Sequence, residues 1–199
     1  MKGIFSAATF IAIASALVSA APFKVAERSA SGPLIYSKGA DFLRVVSQAN
    51  PDTDQIGTYG TQTGYTARTN GNEEFASLVS FDIPPLAAIA GASASSTCNF
   101  VIKNPASVSG SQTTQLFTLG AEFGEYDTIT FNQHPYYNQY EGAYFVNAVG
   151  DSSPVDVTTV PCTFGGNMQF VMRPQNDNDY ITWTQNNGGN VGAFIEIRN

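Results

Sequence analysis

The side chains that could do chemistry fall into a few groups, beginning with the single histidine of the chain, His134 in Phe131-Asn-Gln-His-Pro-Tyr136. A serine or cysteine nucleophile needs a histidine within reach to take its proton. No Gly-x-Ser-x-Gly elbow accompanies this one, so it reads as an exposed loop residue. One histidine also excludes the His-rich catalytic sites of zinc and copper. Carboxylates are the better catalytic candidates, because two of them, one protonated and one ionised, suffice to hydrolyse a glycosidic bond. Glu122, Glu125 and Asp127 lie close together around Gly124, and Glu141 follows a tyrosine run, so a hydrolase would be sought there. Acidic loop residues also serve simply as a solvated surface, and no catalytic residue is assigned.

The run from Pro135 to Tyr144 reads as an aromatic loop and has the chemistry of a sugar-binding surface. Aromatic faces cover the apolar face of a pyranose, while amides and carboxylates bond its hydroxyls. The candidate ligand-binding residues are therefore Tyr136, Tyr137, Tyr140, Glu141 and Tyr144. The competing reading packs the tyrosines against the edge of the fold with their hydroxyls wet. Trp183, in an alternating strand, reads as core. Gln175-Asn-Asp-Asn-Asp179 supplies hard oxygen ligands of the type calcium prefers, as Asp52 and Asp54 do more weakly, but it lacks the glycine and distal glutamate of an EF-hand. Such runs also build tight turns between strands. With no glycine-rich phosphate loop or dinucleotide fingerprint, no cofactor is expected, calcium being the one candidate metal.

The elements that must position these groups are short strands. Runs rich in Val, Ile, Phe, Tyr and Thr stand between turn residues at 34–36, 42–46, 75–83, 98–103, 116–119, 129–131, 144–149, 155–160, 168–172, 180–184 and 192–197. In the third, Phe75, Val79, Phe81 and Ile83 share one face, with Ser77 the exception; in the last, Phe194 opposes Ile195 and Ile197. Helical composition after the leader is confined to Pro85–Ala90, enough for a turn or two. Eighteen glycines and ten prolines between short strands predict a jelly-roll-like antiparallel sandwich of two sheets, with a closed β-barrel as the alternative. No internal repeat suggests a propeller or solenoid.

Of the 199 residues only 13% are charged and 43% are hydrophobic, the composition of one globular domain and not of a disordered chain. A net charge of −7 with scattered Lys and Arg argues against nucleic acid and against anionic membrane as partners. Met1-Lys2, the apolar run Ile4 to Val18 and the small residues Val18-Ser19-Ala20 predict a secretory signal peptide over 1–20. Residues 21–33 read as a flexible lead-in or pro-segment, and 34–199 as the single domain. In an oxidising compartment the two cysteines, Cys98 and Cys162, are most simply one disulfide. Closing about 65 residues, that bridge is worth roughly 4 kcal/mol by the chain-entropy estimate. The Cys-x-x-Cys spacing of redox sites is absent, as is any Asn-x-Ser/Thr sequon.

Phe81-Asp-Ile-Pro84, Cys98-Asn-Phe-Val-Ile102, Val160-Pro-Cys162 with Gly165-Gly166, Tyr180-Ile-Thr-Trp183 and Gly192-Ala-Phe-Ile195 stand in an order that resembles the fungal secreted But-two ("ubiquitin 3 binding protein") C-terminal domain family. The resemblance covers roughly Leu34 to Asn199. The chain departs from it at Thr163, where the family tends to have proline, and in its unusually aromatic 136–144 stretch. The resemblance implies a fungal, signal-bearing, single-domain β protein with a Cys98–Cys162 bridge and no catalytic residues to carry over. The ubiquitin-pathway partner in the family label is not transferred, since a chain with a cleavable leader would not ordinarily meet one. The expectation is a non-catalytic secreted protein of the fungal cell wall or extracellular space that binds polysaccharide. The alternatives are a secreted effector or antigen that binds a protein, and an uncharacterised carbohydrate-active enzyme.

Overall fold

Branched and aromatic side chains favour the extended backbone because they pack well on a pleated, half-buried surface, and the chain turns between such runs wherever Gly, Asn or Pro allows. The computed structural model describes residues 32–69, 73–157, 160–186 and 190–199. The expected leader, and the lead-in up to residue 31, lie outside the described residues. The strands are β1 (Leu34–Gly39), β2 (Phe42–Ser47), β3 (Thr63–Thr69), β4 (Glu73–Asp82), β5 (Thr97–Lys103), β6 (Ser107–Ser109), β7 (Thr113–Leu119) and β8 (Tyr137–Phe145). They continue with β9 (Ser153–Val157), β10 (Val160–Pro161), β11 (Asn167–Pro174), β12 (Tyr180–Thr184) and β13 (Gly192–Arg198). One helical turn, α1 (Ile56–Tyr59), follows β2, and a 3₁₀ turn at Leu86–Ala88 occupies the segment of helical composition.

The pairing is antiparallel. A four-stranded sheet has the order β1-β13-β5-β10, and a nine-stranded sheet runs β6-β12-β3-β4-β11-β7-β8-β9, with β2 added on β4. The expected two-sheet β architecture is present; one of the sheets curls strongly into a half-barrel, which is as far as the barrel alternative goes. Cys98 on β5 is bridged to Cys162, just after β10, across a Cα–Cα distance of 5.1 Å. The bridge ties the shortest strand of the small sheet to its centre.

Two apolar clusters, one on each side, explain why β4 is buried along almost its whole length. Its Val79 and Phe81, with Ile83 just beyond its end, face the small sheet and meet Phe100, Ile102, Ile195 and Ile197 there, with Trp183 fully buried among them. Its Ala76 and Leu78 face the other way and meet Val46, Val171, Phe123 and Ile129. Each such large side chain contributes about 1.5–3 kcal/mol by leaving water. Ser77, the polar exception in the alternation, is fully buried and bridges the β3 backbone: its hydroxyl donates to the Tyr65 carbonyl at 2.9 Å and accepts from the Tyr65 N–H at 2.8 Å. Phe194 points away from Ile195 and Ile197, as expected, and lies under the Lys103 ammonium at 5.2 Å.

Two expected features change. β3 has weak strand composition, yet it forms because Gly64 lets the Trp183 ring lie on the backbone; a Cβ at Gly64 would come within 2.1 Å of that ring. Residues 129–131, read as a strand, are instead part of a long crossing from β7 to β8 over the outer face of the large sheet. Ile129 is apolar because the crossing packs it against the outer cluster of the large sheet, not because it pairs.

Arg44 pins the crossing segment in place. It is fully buried on β2 and donates to the carbonyls of Glu125 at 3.0 Å and Asp127 at 2.6 Å, while pairing with the Asp54 carboxylate. Asp54 in turn accepts from the backbone N–H groups of Ile56 at 2.9 Å and Ile129 at 3.2 Å. Burial alone would raise the Asp54 pKa, but these bonds outweigh it and hold the carboxyl below its usual range. Gln169 adds a second clasp, donating to the Phe123 carbonyl at 2.8 Å and accepting from its N–H at 2.9 Å.

Candidate functional site

The site grows from the place where β7 peels away from β11. The two strands pair from Pro174↔Thr114 to Phe170↔Thr118 and no further, so Asn167, Met168 and Gln169 extend past the end of the β7 pairing. β7 follows β8 instead, through register shifts on both sides of Phe117, and the Gly120 N–H still donates to the Tyr136 carbonyl at 2.9 Å. Across the gap the small sheet offers only two-residue β10. The result is a groove of about 520 Å³ at the open end of the sandwich, with Met168 and Phe170 as apolar floor and Thr118, Glu122, Asn138 and Asn167 among its polar walls. Glu141 also lines it, although only 4% of that residue is exposed.

The aromatic run is a strand and not a loop, and this separates the residues that the sequence groups together. Tyr136, 65% exposed, lies with its ring across Gly120, a lining residue of the groove; a Cβ on Gly120 would sit 2.0 Å from that ring. Glycine is therefore what allows the ring to rest at the lip. Tyr140 is 40% exposed and packs on Phe117 at 5.3 Å. Tyr137 belongs to the outer apolar cluster: His134 stacks on its ring at 4.9 Å, Phe117 at 5.8 Å, and the Arg173 guanidinium lies 4.8 Å from its centroid. Burial pushes its phenol up to about 12. Tyr144 is core, 2% exposed and packed on Phe100 at 5.6 Å, so its ring presents no face to a ligand. Correcting the sequence reading, only Tyr136, Tyr140 and Glu141 of the five stand at a surface or groove. Trp183 is core, as expected.

His134 is half-buried instead of exposed, its Nδ1 2.7 Å from the Pro135 carbonyl. Of the four acidic residues singled out for hydrolysis, two are scaffolding. Glu125 accepts from the Thr61 hydroxyl at 3.1 Å, and Asp127 accepts from the Gly124 N–H at 2.6 Å. The fold brings the other two, Glu122 and Glu141, to the same groove. The candidate calcium run is a turn organised around Asp179, whose buried carboxylate accepts from the Ser111 hydroxyl at 2.7 Å and from the N–H groups of Gln112 and Asn176 at 3.0 Å each. Asn178 takes φ 64°, the left-handed conformation that asparagine tolerates. Asp54, the other calcium candidate, pairs with Arg44.

A second charged cluster lies behind Tyr137. Glu74, 4% exposed, receives Arg68 at 2.7 Å and the fork of Arg173, one limb of which is 2.7 Å away. Burial would raise its pKa, but the two guanidinium groups lower it overall. Arg173 thereby holds a fixed cation against the Tyr137 ring, an arrangement that steadies the start of β8. Sequence reading included Asn138 in the aromatic run but missed Thr118 and Asn167, whose polar side chains carry no special pattern. It also missed Arg44, for which a signal existed: a lone arginine inside Phe42-Leu-Arg-Val-Val46 must find a buried partner.

No protein-family model and no curated protein matches the chain.

Proposed function

We propose that this protein is a secreted, non-catalytic β-sandwich of a fungal cell wall or extracellular matrix that binds polysaccharide in the groove between β7, β8 and β11. The groove itself carries the reading. It has an apolar floor of Met168 and Phe170, amide and carboxylate groups along its walls, and an exposed tyrosine ring held at its lip. Sugar-binding sites use that combination, since a pyranose has an apolar face and a ring of hydroxyls. Secretion is supported by the apolar N-terminal run and by the disulfide, which persists in oxidising compartments. The fungal source rests on the resemblance to the But-two C-terminal domain.

The test is retention of the purified protein on insoluble glucan and chitin, with soluble reducing sugar measured in the same tubes. Depletion from solution that Tyr136→Ala and Asn138→Ala each weaken severalfold is the expected result. Binding indifferent to both substitutions would overturn the site, and no retention on any polysaccharide would overturn the function. The hydrolytic reading keeps one specific observation, the placement of Glu122 and Glu141 in one groove. Sugar release abolished by Glu122→Gln would establish it over simple binding.

A further inference from the structure

We propose that the Cys98–Cys162 bridge is a redox-sensitive clasp on the groove, which a small dithiol opens by two-electron reduction while the two sheets stay folded. The effect on ligand rests on the polysaccharide reading; the opening itself does not. The path of the chain carries the inference. It leaves the large sheet at β9, whose last residue Val157 pairs with Gly142, and next meets the edge of the small sheet as β10. It then returns to the large sheet. The Gly165 N–H donates to the Ile83 carbonyl at 2.9 Å, the Ile83 N–H donates to the Gly166 carbonyl at 3.0 Å, and Asn167 pairs with Asp82. Between these anchors the strap forms the small-sheet wall of the groove, with Val160, Pro161 and Thr163 lining it on either side of Cys162.

The middle of this strap is held far less firmly than its return to the large sheet. Among the described residues β10 meets β5 at two positions, Val160↔Cys98 and Pro161↔Thr97. Pro161 has no N–H to give to that ladder, so the pairing is short and also lacks a donor. Val160 is buried in the core and Phe164 packs partly against it, but Pro161 and Thr163 are exposed. The covalent bond is therefore the main tie that keeps the wall closed. Its two sulfurs have unequal surroundings. Cys98 is fully buried on β5, which pairs with β13 from Gly192↔Lys103 to Arg198↔Thr97, whereas Cys162 is partly exposed. A dithiol thiolate attacks the Cys162 sulfur, and Cys98 leaves as a thiolate and takes a proton. The second thiolate of the reagent then attacks the mixed disulfide, releasing the Cys162 thiol and a cyclic oxidised dithiol. One S–S bond of the protein has broken, two electrons have passed to it, and the two thiol protons of the reagent end on Cys98 and Cys162. The core of Phe81, Phe100, Ile195 and Trp183 lies on strands that keep their pairing, so the wall loosens before the sheets do.

The experiment takes the full secreted protein, in the cold and without denaturant, in four forms: oxidised, reduced with dithiothreitol, reoxidised, and the Cys98→Ser/Cys162→Ser pair. Trp183 fluorescence reads the core, amide exchange reads the strap, and retention on insoluble glucan and chitin reads the groove. The reduced protein and the serine pair should keep the Trp183 spectrum of the oxidised form. Exchange at Val160, Cys162, Thr163 and Phe164 should rise at least about tenfold while that of β4, β11 and β13 holds. Retention should weaken about five- to tenfold, because a free wall must be ordered at each binding event. Reoxidation should reverse both changes, and the serine pair treated alike should stay open. Loss of the Trp183 spectrum on reduction, or exchange rising evenly through β4, β11 and β13, would make the bridge a staple of the whole fold and overturn the clasp. Unchanged exchange at 160–164 would overturn it as well, since the wall would then close without the bond. Retention that holds while the strap opens would overturn the control of binding. Should the oxidised protein retain no polysaccharide, the sugar reading falls, and the exchange data alone decide for or against the clasp.

Discussion

Replacing Arg44 with methionine should cost this protein about 3 kcal/mol of stability. The substitution keeps an apolar stem of similar length in a fully buried position and removes three interactions at once. Two are bonds to the carbonyls of Glu125 and Asp127, and the third is the ion pair with Asp54. Breaking a buried pair by deleting one partner costs about 3–5 kcal/mol, because the other charge is left without compensation. The Asp54 side chain is 21% exposed and keeps the Ile56 and Ile129 N–H groups, so water and backbone soften the loss towards the lower end. With a urea slope of about 2–3 kcal/mol per molar, the unfolding midpoint should drop by about 1 to 1.5 M. Amide exchange locates the damage: Ile129, which donates to Asp54, should lose more protection than Phe123, which Gln169 still holds. In the double-mutant cycle with Asp54→Asn, the combined loss should fall short of the sum of the single losses by at least about 1 kcal/mol. A midpoint within about 0.2 M of the parent, strictly additive losses, or a loss of protection centred on β5 and β13 would refute the assignment of Arg44 as the clasp of the crossing segment.

Acid should destabilise the fold through three carboxylates whose folded pKa values are depressed. Burial alone would raise each, but Arg44 with two backbone donors lowers that of Asp54, Arg173 and Arg68 that of Glu74, and Lys103 and Arg198 that of Glu196. Their stabilisation is fully present above the unfolded values of about 3.9 for Asp and 4.3 for Glu, and is lost as pH falls through the lower folded values. The urea midpoint should therefore hold from these groups between pH 7 and 5 and drop by pH 3; a midpoint that rises at pH 3 would contradict the ion-pair assignments. Gly64→Ala places a methyl about 2.1 Å from the ring of Trp183, the single tryptophan of the chain. Overpacking of this kind costs about 1–3 kcal/mol, and the fluorescence of Trp183 should shift to the red as its ring is displaced; an unchanged spectrum and stability would mean that β3 and β12 do not close on each other as described.

Much of the architecture was written in local pattern. The apolar and β-branched runs at 42–46, 75–83, 98–103, 168–172 and 192–197 form strands because period-two burial and β propensity agree there. The pairing of Cys98 with Cys162 followed from there being two cysteines. Trp183 belonged to the core because an alternating strand buries its large side chains. What pattern could not reveal was the meaning of residues whose reason lies in a distant segment. Thr63–Thr69 is a strand because of a tryptophan 119 positions from Gly64 in the chain, and Ile129 is apolar because a crossing segment lies against Leu78 and Val171. The tyrosine run shows the limit most plainly. Four neighbouring tyrosines and a glutamate were divided among core, outer cluster, lip and groove by a bulge at Glu141 and by the close approach of Gly120. Sequence by itself determined composition, charge, the disulfide pair and the strand-forming runs, since these depend on residues and their near neighbours. Only the tertiary structure decided which carboxylates share a groove and which tyrosines face solvent, because burial is set by contacts between segments that are far apart along the chain.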